Sequence, residues 1–380
     1  MREIHAAWSF NDLMERAVPY SNHNSWKADG LMADNDGGDF EEPFVFDIHP
    51  SLLVDSSNVT LGRKIGKGSH SKVYEGEFES QPVAVKVIGT RTSEASRDLK
   101  ENFEREVNLL SMMEHDNIVK FVGATVEPDM MIITELMRGG SLQQQLWGTC
   151  PTTLDLELSI SFALDISRVM EYLHGNGIIH RDLNPGNILL TEDKKQVKLA
   201  DFGLARGVIP GEMTSDAGTY RWMAPELFNL EPIPKGAKSK KFYDHKADVY
   251  SFSILLWTLL TKKIPFRGNC SMVAAYAMAN NQRPSVDDVP SDIIPLLESC
   301  WAANPRDRPD FVEITGSLTT FFHNFCSSVT PPSNMIENGG AVNNMGSGFP
   351  RTCPVKTESK EKRRKRRWPI PSFLKCFKFS

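Results

Sequence analysis

No stretch of this 380-residue chain holds 18 consecutive apolar residues. The longest apolar run, "FSILLWTLL" at 252–260, has the length of a buried helix rather than of a membrane span. Cysteine is scarce. The six that occur (Cys150, Cys270, Cys300, Cys326, Cys353 and Cys376) are scattered and form no CxxC pair. That spacing excludes a disulfide scaffold or a zinc ribbon and reads as reduced thiols in a cytoplasmic protein. The first residues, "MREIHAAWSFND", lack a basic-then-apolar signal, and Arg2 stands where N-myristoylation needs glycine. What is present is ordinary for a soluble globular protein: 40% hydrophobic and 24% charged residues. The length suffices for one large domain, or two smaller ones, with tails.

Charge is unevenly placed. Residues 351–380 carry eleven Lys/Arg against two Glu, a net of +9 in a chain whose total is −5. Residues 1–50 lean the other way, with ten Asp/Glu against three Lys/Arg. This acidic head has no helical or strand period and reads as mostly disordered, with order expected to begin near "FDIHPSLLVDSSNVTLG". In "VAVKVI" the residues Val83, Val85 and Val87 share one strand face, and Ala84, Lys86 and Ile88 the other. Phe103, Val107 and Leu110 recur at helical spacing within 97–113. Helices are expected over 154–174, 245–261, 270–280 and 291–302, followed by a Pro/Gly/Asn/Ser-rich linker over 326–350. Strands first and helices later predict an α+β chain in two lobes.

Several short patterns point to phosphate chemistry. "IGKGSHSKVY" holds Gly66 and Gly68, with Ser71 where a third glycine would complete the motif. Such a turn can lay backbone N–H groups against phosphates, or it can be a plain hairpin. It is not a Walker loop, because no Gly-Lys-Ser/Thr follows. Lys86 lies further on in a strand and Glu106 on the apolar-faced helix; each could equally be a solvated surface charge. The second cluster decides. "HRDLNPGN" at 180–187, then "DFG" at 201–203 and "APE" at 224–226, occur in an order that chance does not supply.

With these residues in place, the region 58–325 resembles a eukaryotic protein kinase. "HDNIVKFVGA", "GTYRWMAPEL", "DHKADVYSFSILLW" and "CWAANPRDRPDF" are similar to the tyrosine-kinase-like group, particularly plant Raf-like Ser/Thr kinases. The resemblance implies a small antiparallel-sheet N-lobe with one helix and a larger, mostly helical C-lobe. It also implies Ser/Thr transfer from ATP with Mg²⁺ (Mn²⁺ as alternative), dual specificity staying open. Ile65, Gly66 and Gly68 would cover the nucleotide, while Val73, Ala84 and Leu189 sandwich adenine. Thr134 would be the gatekeeper, and Glu135 and Met137 would offer hinge backbone groups. Lys86, oriented by Glu106, would grip the phosphates; Asp201 and Asn187 would hold the metal; Asp182 would accept the substrate proton. Glu226 with Arg308 resembles the family's structural ion pair, and Asp248 the carboxylate under the catalytic loop. Protein substrates and an upstream kinase are the implied partners, and the chain a monomer or transient dimer.

Two departures matter. Asn184 stands where the family carries a lysine, so a hydrogen-bond donor remains but a cation is lost. Ser71 puts a side chain where glycine would be. Neither touches Lys86, Asp182, Asn187 or Asp201, so a working kinase, if a slow one, is expected, with a pseudokinase or scaffold as the alternative. Thr214 and Ser215, between Asp201 and Glu226, are candidate phosphorylation sites whose phosphate could pair with Arg181.

The tail "KEKRRKRRWPIPSFLKCFKFS" places six consecutive basic residues before Trp368, Ile370, Phe373, Leu374, Phe377 and Phe379. Aromatics beside such a run favour an anionic membrane surface, here the inner face of the plasma membrane, with each basic residue adding about 1 kcal/mol. A nuclear localisation signal is the alternative; no folded nucleic-acid-binding module accompanies the charges. Cys376 is a lipidation candidate, since one acyl chain plus a polybasic patch makes two membrane signals. A fluorescent protein fused to residues 351–380 is expected at the cell periphery, weakly after Cys376→Ser and not at all after neutralising 362–367. Nuclear accumulation untouched by Cys376→Ser would decide for the alternative.

Overall fold

The computed structural model describes residues 44–68, 70–148, 154–207, 219–227 and 244–329. Thr214, Ser215 and the whole basic tail with Cys376 lie outside them.

Five antiparallel strands form the first sheet: β1 (Val59–Lys67), β2 (Ser71–Phe78), β3 (Gln81–Arg91), β4 (Phe121–Thr125) and β5 (Asp129–Glu135), in the order β1-β2-β3-β5-β4. The alternation in β3 does what a period of two requires. Val83 and Val85 are buried with Met131 and Ile133 on one face, whereas Ala84 and Lys86 face a cleft on the other. Between β3 and β4 runs α1 (Arg97–Met112), whose N-terminus is capped by the Ser96 hydroxyl accepting from the Leu99 N–H. Phe103, Glu106, Val107 and Leu110 form its buried stripe, so the helix period itself carries one carboxylate inward with the apolar residues.

The sheet has a wrapping that its own strands do not supply. Residues 44–54 cross α1 and reach β4. Phe46 packs edge-on against Phe103 with ring centroids 5.8 Å apart, and Ile48 is buried. The Asp47 N–H donates to Glu104 at 2.8 Å, and Asn108 donates back to the Asp47 carbonyl at 2.9 Å. Leu53 then bridges Ala124 in parallel, and the Val54 N–H donates to the Ala124 carbonyl. The last residues of the acidic head are therefore part of the folded unit.

After β5 the chain becomes helical: α2 (Leu142–Trp147), α3 (Leu156–Gly175), α4 (Lys246–Thr261), α5 (Ser271–Ala279), α6 (Ile294–Cys300) and α7 (Phe311–Val329). Two small two-stranded antiparallel sheets intervene, β6 (Ile178–Ile179) with β9 (Arg206–Gly207), which enclose in sequence the hairpin of β7 (Ile188–Leu190) and β8 (Val197–Leu199). α4 is buried from Ala247 to Leu260, which accounts for its near-continuous apolar run. No helix of the described residues is long and apolar enough to cross a membrane. The final helix reaches Val329, so the segment expected to be linker from 326 begins as helix. Cys270, Cys300 and Cys326 are in no disulfide bond, and burial pushes the Cys300 thiol up to about 12, which leaves it unreactive.

Arg308 is among the largest fully buried side chains. Both ends of its guanidinium meet the Glu226 carboxylate, at 2.6 and 2.9 Å, and its plane lies 5.1 Å from the Tyr250 ring centre. Arg308→Ala should lower the unfolding free energy by about 3–5 kcal/mol, because a carboxylate is left without its partner. Urea denaturation checks this; a loss below about 1 kcal/mol would mean that Glu226 finds solvent instead.

Candidate active site

The cleft between the sheet and the helical part has a volume of ≈ 1060 Å³. Its polar centre begins with β3 and α1, which bring Lys86 and Glu106 together across twenty residues of chain. The Lys86 ammonium lies 2.7 and 2.9 Å from the two Glu106 oxygens and 2.8 Å from Asp201 Oδ1. Burial alone would lower the lysine pKa, but the carboxylates of Asp201 and Glu106 outweigh it and hold it above the ordinary value. The same lysine holds the Asp201 carboxyl below its usual range against the effect of burial. Gly203 stands against this triangle. A Cβ there would come within 3.2 Å of both Asp201 and Glu106, so a side chain would press on both carboxylates.

The catalytic loop is fixed from below. Asp248, in the first turn of α4 and without exposed surface, accepts from the His180 N–H at Oδ2 and the Arg181 N–H at Oδ1, both at 2.8 Å. His174 Nε2 joins Oδ2 at 2.9 Å. Burial pushes the Asp248 carboxyl up, yet the His174 hydrogen bond and its companions prevail and hold it below the ordinary value. Arg181 and Asp201 both have positive φ, 72° and 65°, strained conformations held in the first case by Asp248 and in the second by Lys86 and the Gly203 N–H. His180 is fully buried against Phe202, and its pKa is pushed down by that burial; its ring Nδ1 lies 3.3 Å from the Asp182 N–H.

Asp182 stands above this base. The Asn187 amide donates to its carboxylate Oδ2 at 2.8 Å and to its backbone carbonyl at 2.9 Å. The Asn184 amide does the same from the other side, 2.8 Å from Oδ1 and 3.1 Å from the carbonyl.

Ile65, Gly66, Gly68, Val73, Ala84, Thr134, Met137 and Leu189 line the cleft shared by Lys86, Asp182, Asn187 and Asp201. Glu135 does not. Its N–H donates to the Lys120 carbonyl, and its carboxylate turns away to meet the Lys120 N–H and the Lys198 ammonium, each at 2.7 Å. Leu136 lines the cleft instead. The Glu135–Lys198 pair joins the end of β5 to β8 across 63 residues, and no local spacing announces it. Ser141, also on the cleft, is half of a capping box with Gln144 that the "GGSLQQQ" pattern could have revealed.

The apolar walls and the cationic Lys86 fit a nucleotide. The Asn187 amide nitrogen faces Asp182, which leaves its oxygen, in the cleft that the Asp201 carboxylate also lines, as a hard donor for a divalent cation. A buried lysine held by two carboxylates next to an aspartate oriented by amides is the arrangement of a phosphotransfer centre. Residues 59–318 match the family of protein tyrosine and serine/threonine kinases. The serine/threonine/tyrosine-protein kinase HT1 of Arabidopsis thaliana is 41% identical over 277 residues, covering 70% of this chain and 67% of that protein. The serine/threonine-protein kinase STY46 of the same plant is 39% identical over 269 residues, 70% of this chain and 44% of the relative. Mitogen-activated protein kinase kinase kinase 10 of Xenopus laevis is 34% identical over 282 residues, 71% of this chain and 27% of the relative. The chain belongs to the protein tyrosine and serine/threonine kinase family. It spans less than half the length of the second and third of these relatives.

Asp248→Asn removes one of the two oxygens that receive the loop, so one buried N–H loses its acceptor at a cost of about 1–3 kcal/mol. A lower melting temperature together with reduced kcat is expected. Unchanged values for both would show that the loop holds its shape without Asp248.

Proposed function

We propose that this chain is an ATP-dependent Ser/Thr protein kinase whose centre is Lys86, Asp182, Asn187 and Asp201. The observation that carries the reading is the bridging of Lys86 by Glu106 and Asp201, with Asp182, held by Asn187, lining the same cleft. Bound MgATP would supply the γ-phosphoryl group, the metal neutralising charge between the phosphates. Lys86, already oriented by Glu106, is placed to bind phosphate oxygens. Asn187 and Asp201 offer the oxygen ligands that a small hard cation takes, which favours Mg²⁺ with Mn²⁺ as the alternative. Asp182 accepts the proton of the substrate hydroxyl as that oxygen attacks the γ-phosphorus, and the bond to the β-phosphate oxygen breaks. Walls from Val73, Ala84 and Leu189 exclude water from the adenine side.

The names of the Arabidopsis relatives support serine and threonine as acceptors, and the first of them leaves tyrosine open. The polybasic, aromatic tail supports tethering at an anionic membrane surface as part of the same proposal.

Purified chain should phosphorylate Ser/Thr in a generic acceptor protein, and chelation of divalent metal should abolish the transfer. Lys86→Met, Asp182→Asn and Asp201→Asn should each lower kcat by at least about 10²–10³-fold. Wild type no faster than these variants would sink the enzyme reading in favour of a scaffold.

A further inference from the structure

The loop "HRDLNPGN" carries a neutral side chain where the resemblance implies a cation, and the geometry gives that side chain a task of its own. Gly186 supplies the key, since its backbone N–H can only donate. It points at Asn184 Oδ1 from 2.8 Å, which fixes which end of the Asn184 amide is oxygen. The Nδ2 end must then face Asp182, where it lies 2.8 Å from Oδ1 and 3.1 Å from the backbone carbonyl. Asn187 grips the same residue by the same pair of contacts on the opposite carboxylate oxygen.

We infer that Asn184 is a positioning residue for Asp182, locked in its working orientation by the Gly186 amide, so that Asn184 and Gly186 act as one unit. This rests on the kinase reading above and deepens it. An aspartate χ2 torsion is broad and nearly two-fold, so a single amide leaves the carboxylate free to swing. Amides on both oxygens remove that freedom and fix the plane of the carboxylate. Orientation of this kind is what a proton acceptor needs at the moment of attack.

Position 186 is matched to position 184. A Cβ at 186 would lie 2.9 Å from Asn184 Oδ1 and 3.2 Å from Gln143 Oε1, displacing the amide that Asn184 must hold still. The far side of the loop is closed by the Gln143 N–H, which donates to the Pro185 carbonyl at 2.9 Å from the start of α2. A lysine at 184 would bring a cation but no acceptor for the Gly186 N–H. The loop therefore exchanges a charge near the phosphoryl group for a firmer hold on its acceptor carboxylate.

The test is a double-mutant cycle on the full chain, with MgATP and dephosphorylated casein as substrates. Asn184→Ala should lower kcat about 10-fold with KM for ATP changed less than about 2-fold, the signature of lost orientation rather than lost nucleotide binding. Gly186→Ala should lower kcat in the wild-type background and have no further effect in Asn184→Ala, because residues of one unit do not act additively. Asn184→Asp is nearly isosteric and keeps the acceptor for Gly186, so it serves as the second variant, with melting temperature as the check on folding of each; it should lose at least as much kcat as alanine. Wild-type kcat in both position-184 variants, or losses that multiply in the double variant, would overturn the inference. Asp182→Asn run alongside separates the two levels: activity equal to wild type there would reject the kinase reading itself.

Discussion

A carboxylate with no exposed surface sits in the first turn of α4, and donors from two other segments close around it. Asp248 receives the N–H groups of His180 and Arg181 on separate oxygens and shares one oxygen with His174 from the end of α3. A buried charge of this kind is costly unless every lone pair is used, so the helix, the loop and α3 hold one another in register. The strained backbone at Arg181 is tolerable only on that foundation. Asp182 lies one residue further along, so its place above the cleft is inherited from an anchor more than sixty residues away in sequence. The Arg308–Glu226 pair ties the "APE" segment to the start of α4 through the Lys246 carbonyl, which Arg308 also contacts at 2.9 Å.

Above this base the cleft is organised by one cation. Lys86 is shared between a carboxylate delivered by α1 and one delivered by the "DFG" turn, so the sheet, the helix and the turn meet at a single ammonium. Its raised pKa keeps it charged over the whole physiological range. That charge is aimed at the region where phosphate oxygens would develop charge during transfer, in a setting where preorganised donors act most strongly. The carboxylates that hold it also prevent it from relaxing into the cavity wall.

Much of this was legible in the amino-acid order because it is local. The two faces of β3 follow from a period of two in "VAVKVI", and the inward placement of Glu106 follows from its position on the stripe of Phe103, Val107 and Leu110. The segments expected as helices at 97–113, 245–261 and 270–280 agree with α1, α4 and α5 to within a residue or two. What escaped is long-range or low in contrast. The short α2 gives little helical signal beside its loops, whereas α7 carries a legible stripe of Phe311, Ile314 and Leu318, all buried, that lies outside the segments expected as helices. The Glu135 carboxylate belongs to Lys198 because β5 and β8 happen to approach, which no spacing encodes. Asn184 read as a missing cation because the sequence shows which group is absent and not which hydrogen bonds the replacement makes.

The wrapping by residues 44–54 separates two boundaries that are easily taken as one. The family match starts at Val59, yet the material covering the outer side of Phe103 and completing the edge at Ala124 comes from before it. α1 is thus gripped like a rod in a vice, with the sheet as one jaw and this upstream stretch as the other. The stiffness of the grip is written in sequence that lies before the family match. How firmly Glu106 is presented to Lys86 can therefore differ between kinases whose catalytic residues are identical, without any change inside the cleft.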